Sequence, residues 1–316
     1  MTPSANFFDP ASYPFRRIRL RSDLEREDVI SLQADLKRDM RFGERTGYWK
    51  VGAKFVSRDK ADDRENEDYN PASGNFTLAE ADLAGPEPQG FMEGRYRFGP
   101  TINLPVMHRF FETNPDRFEF NELSSIENSN VSDFEAEEDV LATYAMASID
   151  LTSSWTLLGG VRAELTDATY AGNELVYDDG DFTGTVNRVT GNDEYTTVMP
   201  GLHLTWRPND KFVARFAWTN TLGRANYASL APIRELDQIE DVPGSGIWIG
   251  SISEGNPLLE PYESMNLDVS LEYYLQAGGI VSVGVFHKDI DNPVYGSSFI
   301  ESDITFDGRF YETLSF

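Results

Sequence analysis

The sequence predicts an all-β fold, an antiparallel transmembrane β-barrel, on three observations. Apolar and polar residues alternate with period two over stretches of about 10 to 15 residues. These stretches come in pairs joined by short turns, and long polar connections separate the pairs. The clearest stretch is "ESMNLDVSLEYYL" (263–275), where Met265, Leu267, Val269, Leu271, Tyr273 and Leu275 alternate with Asn266, Asp268, Ser270 and Glu272.

Taken in order, "DVISLQADL" sets Ile30, Leu32, Ala34 and Leu36 against Ser31, Gln33 and Asp35, and "YWKVGAKF" sets Trp49, Val51, Ala53 and Phe55 against Lys50 and Lys54. Residues 139–151 read as a strand with blurrier alternation. In "WTLLGGVRAEL", Trp155, Leu157, Val161, Ala163 and Leu165 oppose Thr156, Arg162 and Glu164. In "VMPGLHLTW", Val198, Leu202, Leu204 and Trp206 oppose Gly201, His203 and Thr205. "KFVARFAW" sets Phe212, Ala214, Phe216 and Trp218 against Val213, Arg215 and Ala217, and 280–290 follows the opening stretch as a further, blurrier strand. Weaker strand patterns lie near 15–21, 100–111 and 303–316. Pro200 removes a ladder donor in mid-strand, which predicts a bulge or an edge beyond the membrane.

The turns "RFGERTG", "LTSS", "RPNDK" and "QAGG" close the hairpins, and acidic Gly/Asn/Asp-rich connections fill about 59–138, 170–194 and 222–262. In a meander this order puts every short turn at one end and every long loop at the other, as in transmembrane barrels with short periplasmic turns and long extracellular loops. A soluble sandwich also alternates. Globular strands, however, have a mode near ~5 to 6 residues, whereas a tilted membrane strand needs ~9 to 11. The odd side of 263–275 is expected against lipid and the even side against water, because hydrocarbon leaves no other partner for a strand's backbone than another strand. Trp155, Trp206 and Trp218, near strand ends on the apolar parity, are expected as interfacial anchors.

Composition narrows function. A formal charge of -26 argues against a nucleic-acid partner. With no cysteine, disulfides, Cys-based zinc sites and thiol catalysis are excluded. No apolar run is long enough for a spanning helix, and the N-terminal stretch shows no secretory signal pattern. The mean hydropathy of -0.43 is compatible with a barrel, where only alternate strand residues face lipid. No HExxH, GxSxG, GxGxxG or P-loop occurs, and the three histidines lie far apart, so no enzyme and no cofactor is expected. The clusters "DDRENED" (62–68) and "DDGD" (178–181) lack the ligand order of a calcium loop and read as solvated charge runs in long loops, with no metal site.

"RFAWTNTLGRANYASLAP" (215–232) and "EGNPLLEPYESMNLDVSLEYYLQAGGIVSVGVFHKDIDNPVY" (254–295) resemble the barrel of TonB-dependent outer-membrane receptors, and "YTTVMPGLHLTWRPNDKFVARFAW" (195–218) resembles the strand pair before that block. The resemblance is specific over 195–295, rests on pattern alone over 25–60 and 138–170, and is nearest to a Caulobacter-like, proteobacterial subgroup. It implies a 22-stranded barrel, of which residues 1–316 would be a partial barrel domain of about 8 to 11 strands. Signal sequence, plug domain and TonB box, which such receptors carry, are not read in this chain, so an internal piece of a receptor barrel or a truncated reading frame, not folding alone, is expected. The resemblance also implies active import of a scarce ligand (ferric siderophore, cobalamin or oligosaccharide) across the cell outer membrane of a Gram-negative bacterium. The implied partners are that ligand, outer-membrane lipid and the TonB–ExbB–ExbD complex acting through the plug. A passive porin-like barrel, or a soluble secreted acidic β-protein that binds glycans, are the alternatives.

The polar parity nominates Arg162, Glu164, His203, Arg215, Asp268 and Glu272 as facing the lumen, where they hydrate it, pair across strands or grip a plug. Arg224, Asn226, Tyr227 and Trp248 in the long connections are candidate ligand contacts, although loop aromatics also pack loops together.

Overall fold

The computed structural model describes residues 5–72, 74, 76–88, 92–93, 95, 98–276 and 278–316. In chain order they form β1 (Ile18–Phe42), β2 (Arg45–Pro71), β3 (Ala84–Gly85), β4 (Thr101–Ile102), α1 (Leu104–Thr113), β5 (Phe118–Phe120) and α2 (Glu122–Asn130). Then follow β6 (Phe134–Asp150), β7 (Trp155–Asp178), β8 (Asp181–Asn209), β9 (Phe212–Gly223), α3 (Tyr227–Leu230), β10 (Arg234–Glu240) and β11 (Ile247–Glu254). β12 (Tyr262–Tyr274), β13 (Ile280–Asp291), β14 (Ile300–Phe306) and β15 (Arg309–Ser315) complete the order. Residues 1–23 and 64–130 make one compact unit, and residues 24–63 and 131–316 a second.

The second unit is a wall of eight strands in the order β1-β2-β6-β7-β8-β9-β12-β13, antiparallel in every register resolved. These are the four hairpins expected from the alternation. Register carries the apolar set of each strand onto its neighbours: Phe55, Leu141 and Leu165 share a row, and so do Leu204, Phe216, Val269 and Val285. On that face Val161, Leu165, Val198, Val269, Leu271 and Val283 are exposed. On the opposite face Glu138, Glu164, Thr166, Thr197 and Asn266 are buried. A water-soluble sheet buries its apolar side; this one does the reverse. The apolar face ends at a polar row, Ser57, Asp139, Asp167 and Glu194. At the short-turn end Trp155 stacks on Trp206 with centroids 5.5 Å apart, and Trp206 meets Phe212 edge-on.

The apolar set also drifts along the register. Trp49, Ala147, Gly159, Leu202, Trp218 and Leu267 share one row. Trp49 stands at the short-turn end of its strand's apolar set, whereas Leu267 stands near the far end of its own. A drift in that sense along the register means that the strands are inclined to the apolar band, as in membrane barrels.

Several expectations are corrected. Residues 170–194 are not a loop: β7 and β8 run on to a turn at Asp179 and Gly180, both at positive φ, 51° and 82°. There β7 is covered rather than set between two solvents, with Ala168, Tyr170, Ala171, Glu174 and Leu175 buried, so the alternation that marks the other strands is lost. The acidic run 62–68 lies on β2, and residues 104–113 form α1 rather than a strand, with Pro105 in the first turn where its missing N–H costs nothing. The pattern near 303–316 is the hairpin β14–β15, which pairs in parallel with β11 and not with the wall. The pattern near 15–21 is the start of β1. No bulge occurs at Pro200: its ladder with β7 is unbroken, and the β9 ladder begins at the next residue, Gly201. Outside the wall, β10 pairs in parallel with the outer end of β7 and antiparallel with β11. That small sheet has its own core of Leu236, Ile252, Tyr311 and Leu314.

The first unit packs Phe76, Leu83 and Phe118 with Phe15, Phe110 and Phe111. Asp68 is fully buried, accepting Arg19 Nε at 2.7 Å, Arg19 Nη2 at 2.8 Å and the Ser124 hydroxyl at 2.6 Å. Hydrogen bonds from Arg19 hold its carboxyl below the usual range against the opposing effect of burial, with Ser124 adding to them. Because the native value lies below the unfolded one, this stabilisation is complete above the unfolded value near ~4 and is lost as pH falls through the native value. The near-UV signal of this aromatic cluster is therefore expected to survive at about pH 5 and collapse in stronger acid. Asp68→Asn should weaken the signal at neutral pH and abolish the acid step; an acid step retained in that variant would contradict the assignment.

Candidate functional site

The outer half of the polar face carries a set of charges clamped by one side chain from a connection. After Gly223 the chain leaves β9 and turns back over the wall. The Asn226 side chain accepts from Ser229 N at 2.8 Å and starts α3, which Ala231 N closes on Tyr227 O at 2.7 Å. Ala225, Tyr227, Leu230, Ala231 and Ile233 then pack on Phe134, Ala136, Ala168 and Tyr170.

Arg224 enters at the head of this segment. Its guanidinium donates to Glu164 Oε2 at 2.9 Å, Thr166 Oγ1 at 3.0 Å and the Tyr195 hydroxyl at 3.1 Å, and stands 3.4 Å from Glu138 Oε2. One side chain thus joins β6, β7 and β8. Arg58 approaches the same Glu138 from β2 at 3.5 Å, donates to the Tyr227 hydroxyl at 2.9 Å, and meets Glu27 at 3.1 Å. Arg162 donates to Glu164 Oε1 at 2.7 Å. Lys54, Arg58, Arg162 and Arg224 with Glu138 and Glu164 line a hollow of about 160 Å³. Four cations surround two carboxylates there, in a chain of net charge -26. Burial pushes the Tyr227 phenol up, so it stays protonated and can donate toward Glu138.

A second hollow, about 300 Å³, lies deeper on the same face and is lined by His203, Thr205, Arg215, Thr219, Asp268 and Ser270. Arg215 pairs with Glu272, which also accepts from the Tyr274 hydroxyl at 2.6 Å. All six residues nominated from the polar parity therefore share one face: Arg162 and Glu164 join the outer hollow, His203, Arg215 and Asp268 line the inner one, and Glu272 flanks it through Arg215. Of the connection residues, Arg224 and Tyr227 belong to the outer charge set, while Asn226 caps α3. Trp248 stands apart on β11, packed against the small-sheet core with Arg309 4.4 Å above its ring. Arg58, Glu138, Thr166 and Tyr195 were not nominated from the sequence. Parity alone could have found Arg58 and Glu138, which lie in register with each other and on the side of Lys54 and Glu164. Among the described residues no group of three or more His, Asp or Glu is placed to hold a metal ion. The arrangement is one of charges and hydrogen-bond donors paired with one another across four strands and the connection.

A family model described as TonB dependent receptor-like, beta-barrel matches residues 2–306. Among solved structures, the closed form of the ferric-catecholate import receptor Fiu from E. coli K12 matches with a TM-score of 0.50 at 12% identity, over 90% of this chain and 33% of that one. The ferric citrate transporter FecA in its unliganded form matches with a TM-score of 0.46 at 11% identity, over 86% and 29%. The siderophore receptor PiuA from Acinetobacter baumannii matches at 0.43 and 12% identity, over 92% and 34%. The chain spans about a third of the length of these structures. No curated protein sequence matches.

Tyr227→Phe removes the hydroxyl shared by Arg58 and Glu138. It is expected to lower stability by about 1 to 2 kcal/mol in urea unfolding of the detergent-folded protein. Ala228→Ser on the exposed side of α3 should stay within ~0.5 kcal/mol of the native chain. Equal effects from the two would remove the charge set from the forces that hold the connection in place.

Proposed function

The chain belongs to the TonB-dependent receptor-like β-barrel family, and on that premise we propose that it is barrel wall of an outer-membrane import receptor. The observation that carries this reading is the inverted burial of the eight-strand wall, with valines and leucines outward over a tilted band and Glu138, Glu164, Thr197 and Asn266 inward. A wall of that kind is stable with hydrocarbon on one side and a hydrated lumen on the other. In this reading Arg162, Glu164, His203, Arg215, Asp268 and Glu272 line the lumen. The long connections beyond the polar row face the outside. The complete receptor takes up a scarce ligand, and the TonB–ExbB–ExbD complex, driven by the proton gradient, supplies the work. A ferric siderophore is the first cargo to test, with cobalamin and oligosaccharide as further arms.

Two outcomes follow. Val198 is 58% exposed on the apolar face, so a soluble protein would accept arginine there. In a membrane wall Val198→Arg should cost about 2 to 4 kcal/mol and reduce the amount of protein recovered in the outer-membrane fraction. Uptake of labelled ligand by cells expressing the receptor should stop when an uncoupler collapses the proton gradient. Uptake that continues unchanged would indicate passive diffusion and overturn the energised reading.

A further inference from the structure

The residues after β9 were candidates for ligand contact, yet almost every polar or bulky group among them is already engaged by the wall. Arg224 has four partners on three strands, and Tyr227 bridges Arg58 and Glu138. Leu230 and Ala231 are buried, at 5% and 0% exposure, in the cluster with Phe134, Ala136, Ala168 and Tyr170. The returning arm of the same connection is tied to the outgoing one: Gly255 N donates to Ile233 O at 3.1 Å, and Asn256 N to Ser229 O at 2.9 Å. The wall makes room for both arms. A Cβ at Gly172 would stand 3.0 Å from Ile233 N, and one at Gly191 only 2.4 Å from the Pro257 ring.

From these observations we infer that residues 224–233, with 254–259 laid against them, form a fixed strap over the polar face of β6–β8, and that Arg224 is the positioning residue that pins it. The strap is therefore no lid. The physical reason is the cost of lifting it. Glu138 and Glu164 are nearly buried, at 5% and 8% exposure. Withdrawal of Arg224 would leave two desolvated carboxylates with one arginine each, and breaking a buried charge set by removing one partner is strongly destabilising. Lifting would also expose the apolar cluster beneath α3 to water. Lysine cannot replace Arg224, because a single ammonium cannot span Glu164, Thr166 and Tyr195 as a planar fork does. The inference concerns only the second unit and holds whether or not the chain transports anything.

Amide hydrogen exchange, read by mass spectrometry on the full chain in detergent or outer-membrane vesicles, tests it. In the native protein, peptides covering 229–233 and 254–256 should be protected to within about tenfold of the wall peptides from 157–165. In Arg224→Ala the strap should exchange at least tenfold faster while 157–165 stays unchanged, and Arg224→Lys should not restore it. Native strap amides exchanging as fast as unprotected ones would establish a mobile lid and overturn the proposal. So would Arg224→Ala with strap protection at the native level. If Arg224→Ala also loses protection in the wall, Gly172→Val decides, since it removes no ion-pair partner and crowds the strap itself at Pro232 and Ile233. Loosening confined to the strap supports the proposal, and unchanged protection refutes it.

Discussion

A backbone amide in hydrocarbon has no water to turn to, and in the proposed membrane setting the strand pairing of the wall follows from that constraint. The ladders joining β2, β6, β7, β8, β9, β12 and β13 hold one register through the apolar band, their shifts lying outside it at Val176/Tyr177 and Trp206/Asn209, and that register aligns the parity of every strand with the next. A slip of one residue in any ladder would carry Arg162, Glu164 or Asp268 to the apolar face, which in the proposed membrane setting costs about 2 to 4 kcal/mol for an arginine. The tilt has the same origin. Apolar sets of similar height on inclined strands must drift along the register, and they do, so that Trp49 and Leu267 share a row from opposite ends of their bands.

The same register builds the polar site. Glu138 stands in register with Arg58 on one side and Ala168 on the other, and Thr166 with Tyr195. With Glu164 two residues before Thr166 on the same parity, four partners thus converge on a patch of β6–β8, where a guanidinium from the next connection reaches all of them. The charges are not there as a net source of stability, since burying ions costs about what their attraction returns. What they supply is position. Each carboxylate has one arginine from the wall, Arg58 for Glu138 and Arg162 for Glu164, and Arg224 from the connection is the cation that joins the two pairs.

Period two was legible wherever the two faces meet different solvents, which is why the eight wall strands and their four short turns could be read directly. It failed in the outer part of the β7–β8 hairpin, where β7 is covered by the following connection and by β10: Ala168, Tyr170, Ala171, Glu174 and Leu175 are buried there, so polar and apolar residues no longer alternate although the strands continue. The Asp179-Gly180 pair was the surviving signal, since a two-residue turn with positive φ at both positions favours that dipeptide. "LPVMHRFFET" carried too short a helical period to outweigh a strand-like neighbourhood, and the proline that opens α1 was its best marker. The polar face was legible as a set, because parity names its members, but the partners of Arg224 were not. They lie 29 to 86 positions away in sequence, and only the three-dimensional register brings them together.

The account rests on which solvent lies against each face, and a nitroxide scan answers that directly. The chain has no cysteine, so single cysteines can be labelled one at a time from Val198 to Trp206 on β8 in lipid vesicles. Collision with oxygen should be greatest at 198, 202, 204 and 206, and collision with a water-soluble nickel chelate should be greatest at 199, 201, 203 and 205. The same period with the opposite phase, or no oscillation at all, would contradict the membrane wall.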